Sequence, residues 1–120
     1  DYLETILMLT QRMGRVRSID VVNELGYTKA SVSIAMKKLR ENGYIAVDGE
    51  GNLTLLEPGR EIAERIYSRH RLLTHFFVQL GVDEEVAAED ACKAEHILSE
   101  QTLEKIREYA LLHDAQDSVK

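Results

Sequence analysis

Residues 18–56, SIDVVNELGYTKASVSIAMKKLRENGYIAVDGEGNLTLL, decide the fold. Ile19, Val22 and Leu25 make an apolar stripe at helical spacing, with Ser18 as its N-cap and Gly26 supplying the left-handed residue that ends a short helix. Thr28 caps another helix at once. Over residues 29–42, Val32, Ala35, Met36 and Leu39 fall on one face and leave Lys29, Ser31, Ser33, Lys37, Lys38 and Arg40 on the other, until Gly43 ends the run. The period then changes. Residues 44–56 alternate in a β-favouring pattern, broken by Asp48-Gly49-Glu50-Gly51-Asn52, which suits the positive φ angles of a tight hairpin. Helix, glycine turn, helix and hairpin make a winged helix-turn-helix, in which the second helix of the pair enters the DNA major groove.

The flanks are helical. Residues 2–13, YLETILMLTQRM, place Tyr2, Leu3, Ile6, Leu7, Leu9 and Met13 on one face, and Gly14 stops that helix. After Pro58 and Gly59 a long helix is expected over 60–80, carrying Ile62, Ala63, Ile66, Tyr67, Leu72, Leu73 and Phe76 and punctuated by Gly81. A further helix over about 83–98 opens on Asp83-Glu84-Glu85, which suits the helix dipole, and a last one covers about 100–112, with the tail from Asp114 frayed. The expected fold is mainly α: a winged helix-turn-helix over 1–59, then a helical domain over 60–120.

The 120 residues are 44% hydrophobic, enough for a core, and contain no tryptophan and a single proline. No run approaches the roughly 18 to 20 apolar residues of a membrane span, and the start, DYLE, lacks the basic and apolar regions of a signal peptide, so a cytoplasmic location without membrane contact is expected. The lone Cys92 forms no internal disulfide; it is a buried apolar residue, a free thiol or a ligand.

A net charge of −6 conflicts with DNA binding until its distribution is read. Residues 1–71 hold 11 Lys and Arg against 10 Asp and Glu, a balance of +1, and residues 72–120 hold 4 against 11, a balance of −7. The second helix of the motif carries the basic excess. Thr28, Ser31 and Ser33 are small hydroxyl residues able to approach base edges, while Lys29, Lys37, Lys38 and Arg40 can meet phosphates, and Arg12, Arg15 and Arg17 extend that surface. Any amphipathic helix displays lysines, and winged helices also serve as protein-interaction modules; the order of elements is what favours DNA.

In the acidic half, Cys92, Glu95 and His96 stand at i, i+3 and i+4 of one expected helix, where a thiolate, a carboxylate and an imidazole on one face can grip a divalent ion. Three ligands rarely finish a site, so His70 and His75 on the long helix and Asp1 and Glu4 on the first helix are further candidates. The plain alternatives are a buried Cys92, a surface Glu95–His96 pair, a packing role for His75 beside Phe76 and Phe77, and a bystander His113. The chain has no His-Glu-x-x-His for a zinc protease, too few cysteines for structural zinc, and no nucleophile–base pair or phosphate-cradling glycine loop, so it is not expected to be an enzyme.

The opening DYLETILML, the wing and following stretch LTLLEPGREIAERI, RHRLLTHFF, GVDEE and above all ACKAEHILSEQTLEKI resemble the diphtheria toxin repressor family of metal-dependent transcriptional regulators along nearly the whole chain. The resemblance implies a regulatory transition metal enclosed between the first helix and the Cys92 helix, with Asp1, Glu4, His70, Cys92, Glu95 and His96 at ligand positions. It also implies a homodimer through the C-terminal helices. The chain is a hybrid: the iron-sensing branch has methionine at Asp1 and cysteine at Cys92, and the manganese-sensing branch has carboxylates at both and an acid at Glu4. The iron branch's ancillary site would need an acid and a histidine where Thr74 and Ala88 stand. Oxygen ligands suit Mn²⁺, a thiolate shifts preference toward Fe²⁺, Co²⁺, Ni²⁺ or Zn²⁺, and the length leads us to expect the short, manganese-type architecture. The expected function is a metal-dependent repressor of metal-uptake genes, activated by Mn²⁺ or Fe²⁺, on a double-stranded DNA operator. The rivals are control by a small organic ligand or by oxidation of Cys92.

Overall fold

The computed structural model describes residues 1–119, and the side chains of residues 1–114. In chain order the elements are α1 (Tyr2–Met13), α2 (Ser18–Leu25), α3 (Lys29–Glu41), β1 (Ile45–Val47), β2 (Leu53–Leu55), α4 (Glu57–Gln79), α5 (Glu84–Ala94) and α6 (Glu100–Val119). Two compact units divide the chain, the first from Asp1 to Arg65 and the second from Ile66 onward, so the division falls inside α4.

In the first unit, Asp1 caps α1: its carboxylate accepts the Glu4 N–H at 3.1 Å, an arrangement worth about 0.5–2 kcal/mol to a helix. α1 buries Leu3, Ile6, Leu7 and Leu9 but also Glu4 and Thr5, while Met13, expected on the apolar face, is exposed. Ser18 is not the cap of α2 but its first residue. Arg17 holds the extended cap position, and the Asp20 carboxylate accepts its N–H at 2.8 Å. Gly26 closes α2 in the left-handed conformation, and Thr28 caps α3 by accepting the Ser31 N–H at 3.1 Å. α3 buries Val32 and Met36, with Ala35 and Leu39 half-buried, and packs on α2 and β1.

The strands pair antiparallel in the register Ile45↔Leu55, Ala46↔Thr54 and Val47↔Leu53. Ile45, Leu53 and Leu55 point into the core and Thr54 outward, the alternation of a sheet with one buried face. The helix after the wing begins earlier than residue 60. Pro58 fits the first turn of α4, where no N–H is required, and Gly59 is there because a Cβ would lie 2.2 Å from the Tyr44 carbonyl oxygen.

The second unit packs α4, α5 and α6 around Leu73, Ala91 and Leu103, with Phe77, Ala94, Leu98 and Ile106 against them. α5 stops at Ala94 rather than near residue 98, and residues 95–97 form a turn. α6 runs on past residue 112. The Asp114 carboxylate lies 3.0 Å from His75 Nε2 and accepts from Gln79 Nε2 at 2.8 Å, so two residues of α4 hold the first residue of the tail expected to fray; Lys120, its last, lies outside the described residues.

Candidate metal centre and nucleic-acid interface

In the second unit, α4 carries His70, half-buried, and the C-terminal end of α5 delivers Glu95. A ring nitrogen of His70 and a carboxylate oxygen of Glu95 lie within 4.8 Å of each other. Glu95 is only 4% exposed, and burying a carboxylate is costly unless charge or hydrogen bonds compensate it. Its Oε1 is 3.5 Å from His96 Nε2, whose ring faces mostly to solvent.

Cys92, Glu95 and His96 do not share one environment. Ala91 and Glu95, four residues apart, are buried, whereas Cys92 and His96, one position further round, are exposed. Spacing alone does not distinguish them; the small Ala91 takes the core side of α5 and sets which of these residues is covered. The buried pair is an imidazole with a carboxylate, a donor set that fits Mn²⁺ or Fe²⁺.

In the first unit, Glu4 is 6% exposed within the apolar face of α1, between Leu3 and Ile6. Asp1 is exposed, with one oxygen committed to the helix cap. The D-x-x-E pattern at the chain start is a readable capping signal that metal spacing alone overlooks.

Thr28, Lys29, Ser31, Ser33, Lys37, Lys38 and Arg40 are all exposed, backed by Val32 and Met36. Thr28 also donates its hydroxyl to Ser31 Oγ at 2.8 Å, which fixes the N-terminal turn of the helix that would meet base edges. The arginines around the first turn behave differently. Arg12 pairs with Glu24 of α2 at 2.9 Å, and the Arg17 guanidinium donates to the Glu50 carbonyl at the wing tip. At that tip the Asp48 carboxylate accepts the N–H groups of Glu50 and Asn52 and the Asn52 side-chain amide, each at 2.9 Å. These bonds, led by the Asn52 side chain, hold the Asp48 carboxyl below its ordinary value. Composition marked this segment as a turn but not as a closed hydrogen-bonded ring. His75, expected to pack beside Phe76 and Phe77, is exposed and paired with Asp114, and His113 stacks on Tyr109 of the same helix with ring centroids 5.0 Å apart.

Comparison with known proteins covers both units. Residues 1–53 match the description "Iron dependent repressor, N-terminal DNA binding domain", and residues 56–112 match "Iron dependent repressor, metal binding and dimerisation domain". The chain is 32% identical over 120 residues to the HTH-type transcriptional regulator MntR of Bacillus subtilis (strain 168), covering 100% of this chain and 84% of that protein. It is 35% identical over 109 residues to an uncharacterized HTH-type transcriptional regulator of Methanocaldococcus jannaschii, covering 89% and 87%. It also superposes on a manganese-dependent transcriptional repressor solved in complex with manganese, with a TM-score of 0.83 at 28% identity. That match takes in 92% of this chain and 51% of the other, so the chain spans about half the length of that solved protein.

Proposed function

The chain belongs to the iron-dependent repressor family, whose members are transcriptional regulators rather than enzymes, and from that premise we propose that it is a metal-activated repressor. A divalent transition metal, Mn²⁺ or Fe²⁺, is the activator, a double-stranded DNA operator is the target, and a homodimer through the C-terminal helices is the binding form. The observation that carries the reading is the buried Glu95 carboxylate beside the His70 imidazole, in the part of the chain matched to a metal-binding and dimerisation domain.

His70 and Glu95 are the proposed central ligands. Asp1, Glu4, Cys92 and His96 are further ligands on the resemblance. When bound, the cation supplies positive charge that offsets neighbouring carboxylates. The chain's own residues do the rest: Thr28, Ser31 and Ser33 face base edges, and Lys29, Lys37, Lys38 and Arg40 meet phosphates. A dimer that binds two half-sites needs its recognition helices at a fixed spacing, and a ligand that favours that arrangement raises its population. Among the described residues no helix is long and apolar enough to cross a membrane. The proposed DNA target supports a cytoplasmic location. The test is calorimetric titration of Mn²⁺ into wild type and Glu95→Gln. Stoichiometric binding lost in the variant supports the site, and equal binding by both overturns it.

A further inference from the structure

We propose that Arg17 is a positioning residue for DNA binding, acting not on the duplex but by holding the wing tip against the entry to α2. The proposal rests on the DNA-binding reading above. Residues 16 and 17 run beside the wing as a short third arm: the Leu53 N–H donates to the Val16 carbonyl at 2.7 Å, and Arg17 pairs with Asn52 in an antiparallel bridge. The Arg17 side chain reaches across to the Glu50 carbonyl, while its own N–H is held by Asp20 in the first turn of α2. One residue therefore connects the start of the helix-turn-helix to a hairpin tip 33 positions later.

The tip itself is a single body. Asp48 gathers Glu50 and Asn52, and Gly51 supplies the positive φ of 86° that lets the chain turn. Its strands are three residues long, and a two-stranded hairpin of that size is marginal unless something braces it. Residues 48–52 hold Asp48 and Glu50 and no cation, so in this proposal the tip meets the duplex through its backbone and not through charge. The brace is one bond from a planar, fixed guanidinium; a lysine ammonium on a flexible stem holds the same carbonyl at a greater entropic cost.

The experiment compares wild type, Arg17→Lys and Arg17→Met in the Mn²⁺-loaded protein, with circular dichroism confirming the fold. The probe is a short duplex selected by the wild type from a random-sequence pool. In DNA-free protein the amides of Glu50 and Asn52 should exchange faster in both variants. Affinity should fall about tenfold, the scale of one charge-assisted hydrogen bond, even in Arg17→Lys, which keeps the charge. The slope of log affinity against log salt should stay at the wild-type value, and the loss should be non-additive with Asn52→Ala. If Arg17→Met fails to fold, Arg17→Lys carries the comparison. Wild-type affinity in Arg17→Lys, a slope reduced by about 0.9 in Arg17→Met as for a lost phosphate contact, or unchanged amide exchange overturns the proposal alone. A wild type that selects no duplex overturns the DNA-binding reading and the proposal with it.

Discussion

Glu95 caps the C-terminal end of α5 and, like Ala91 four residues before it, is buried, while Cys92 and His96 are exposed. That difference predicts a graded response to substitution. Glu95→Gln and His70→Ala should weaken Mn²⁺ binding by more than the roughly 10–100-fold that loss of an outer partner costs, as measured by calorimetry. Cys92→Ser should cost much less for Mn²⁺ and should reduce the preference for Zn²⁺, because it removes the soft donor. Equal losses from Cys92→Ser and Glu95→Gln would place the thiol at the centre of the site instead. The types and positions of these candidates were legible in the sequence. Which of them are buried was not, because the rotation of α5 is set by Ala91 packing near Leu73 and Leu103, residues far away in the chain.

At the scale of elements, the helical stripes, the stops at Gly14 and Gly26 and the hairpin were readable because they follow local periodicity and turn chemistry. The ends that were misjudged depend on partners distant in sequence. α6 continues past residue 112 because Asp114 meets His75, 39 positions away, and Gln79, 35 positions away. α4 starts at Glu57 because Gly59 allows close approach to Tyr44. Gly59→Ala should therefore cost roughly 1–3 kcal/mol, as overpacking does, and lower the thermal midpoint. Gly49→Ala, with nothing within 4 Å of the added Cβ, is the matched control. The wing gives a pH prediction. Asp48 titrates below its ordinary value of 3.8, so its stabilising contribution is complete above that value and is lost as pH falls through the lowered one. The amides of Glu50 and Asn52 should lose protection in that acidic window, and Asp48→Asn should blunt this acid dependence, as followed by NMR.

For the molecule as a whole, an acidic chain binds DNA because its charge is partitioned: the recognition helix exposes Lys29, Lys37, Lys38 and Arg40, and the −7 balance lies in residues 72–120. Affinity for DNA should fall steeply with salt, and Lys37→Ala and Lys38→Ala should each reduce the salt slope by about 0.9 if each meets one phosphate. The same partition puts the buried Glu95 carboxylate in the half matched to a metal-binding domain and the bases in the half matched to a DNA-binding domain. In the proposed switch, metal binding at Glu95 and His70 controls what the recognition helices do. The most direct measurement is fluorescence anisotropy of a duplex selected by the Mn²⁺-loaded wild type, titrated with wild-type and Glu95→Gln protein, each with and without Mn²⁺. Tight binding by the wild type only when Mn²⁺ is present, with weak binding by Glu95→Gln under both conditions, is the predicted result; wild-type affinity indifferent to Mn²⁺, or a Glu95→Gln protein that still responds fully, would contradict it.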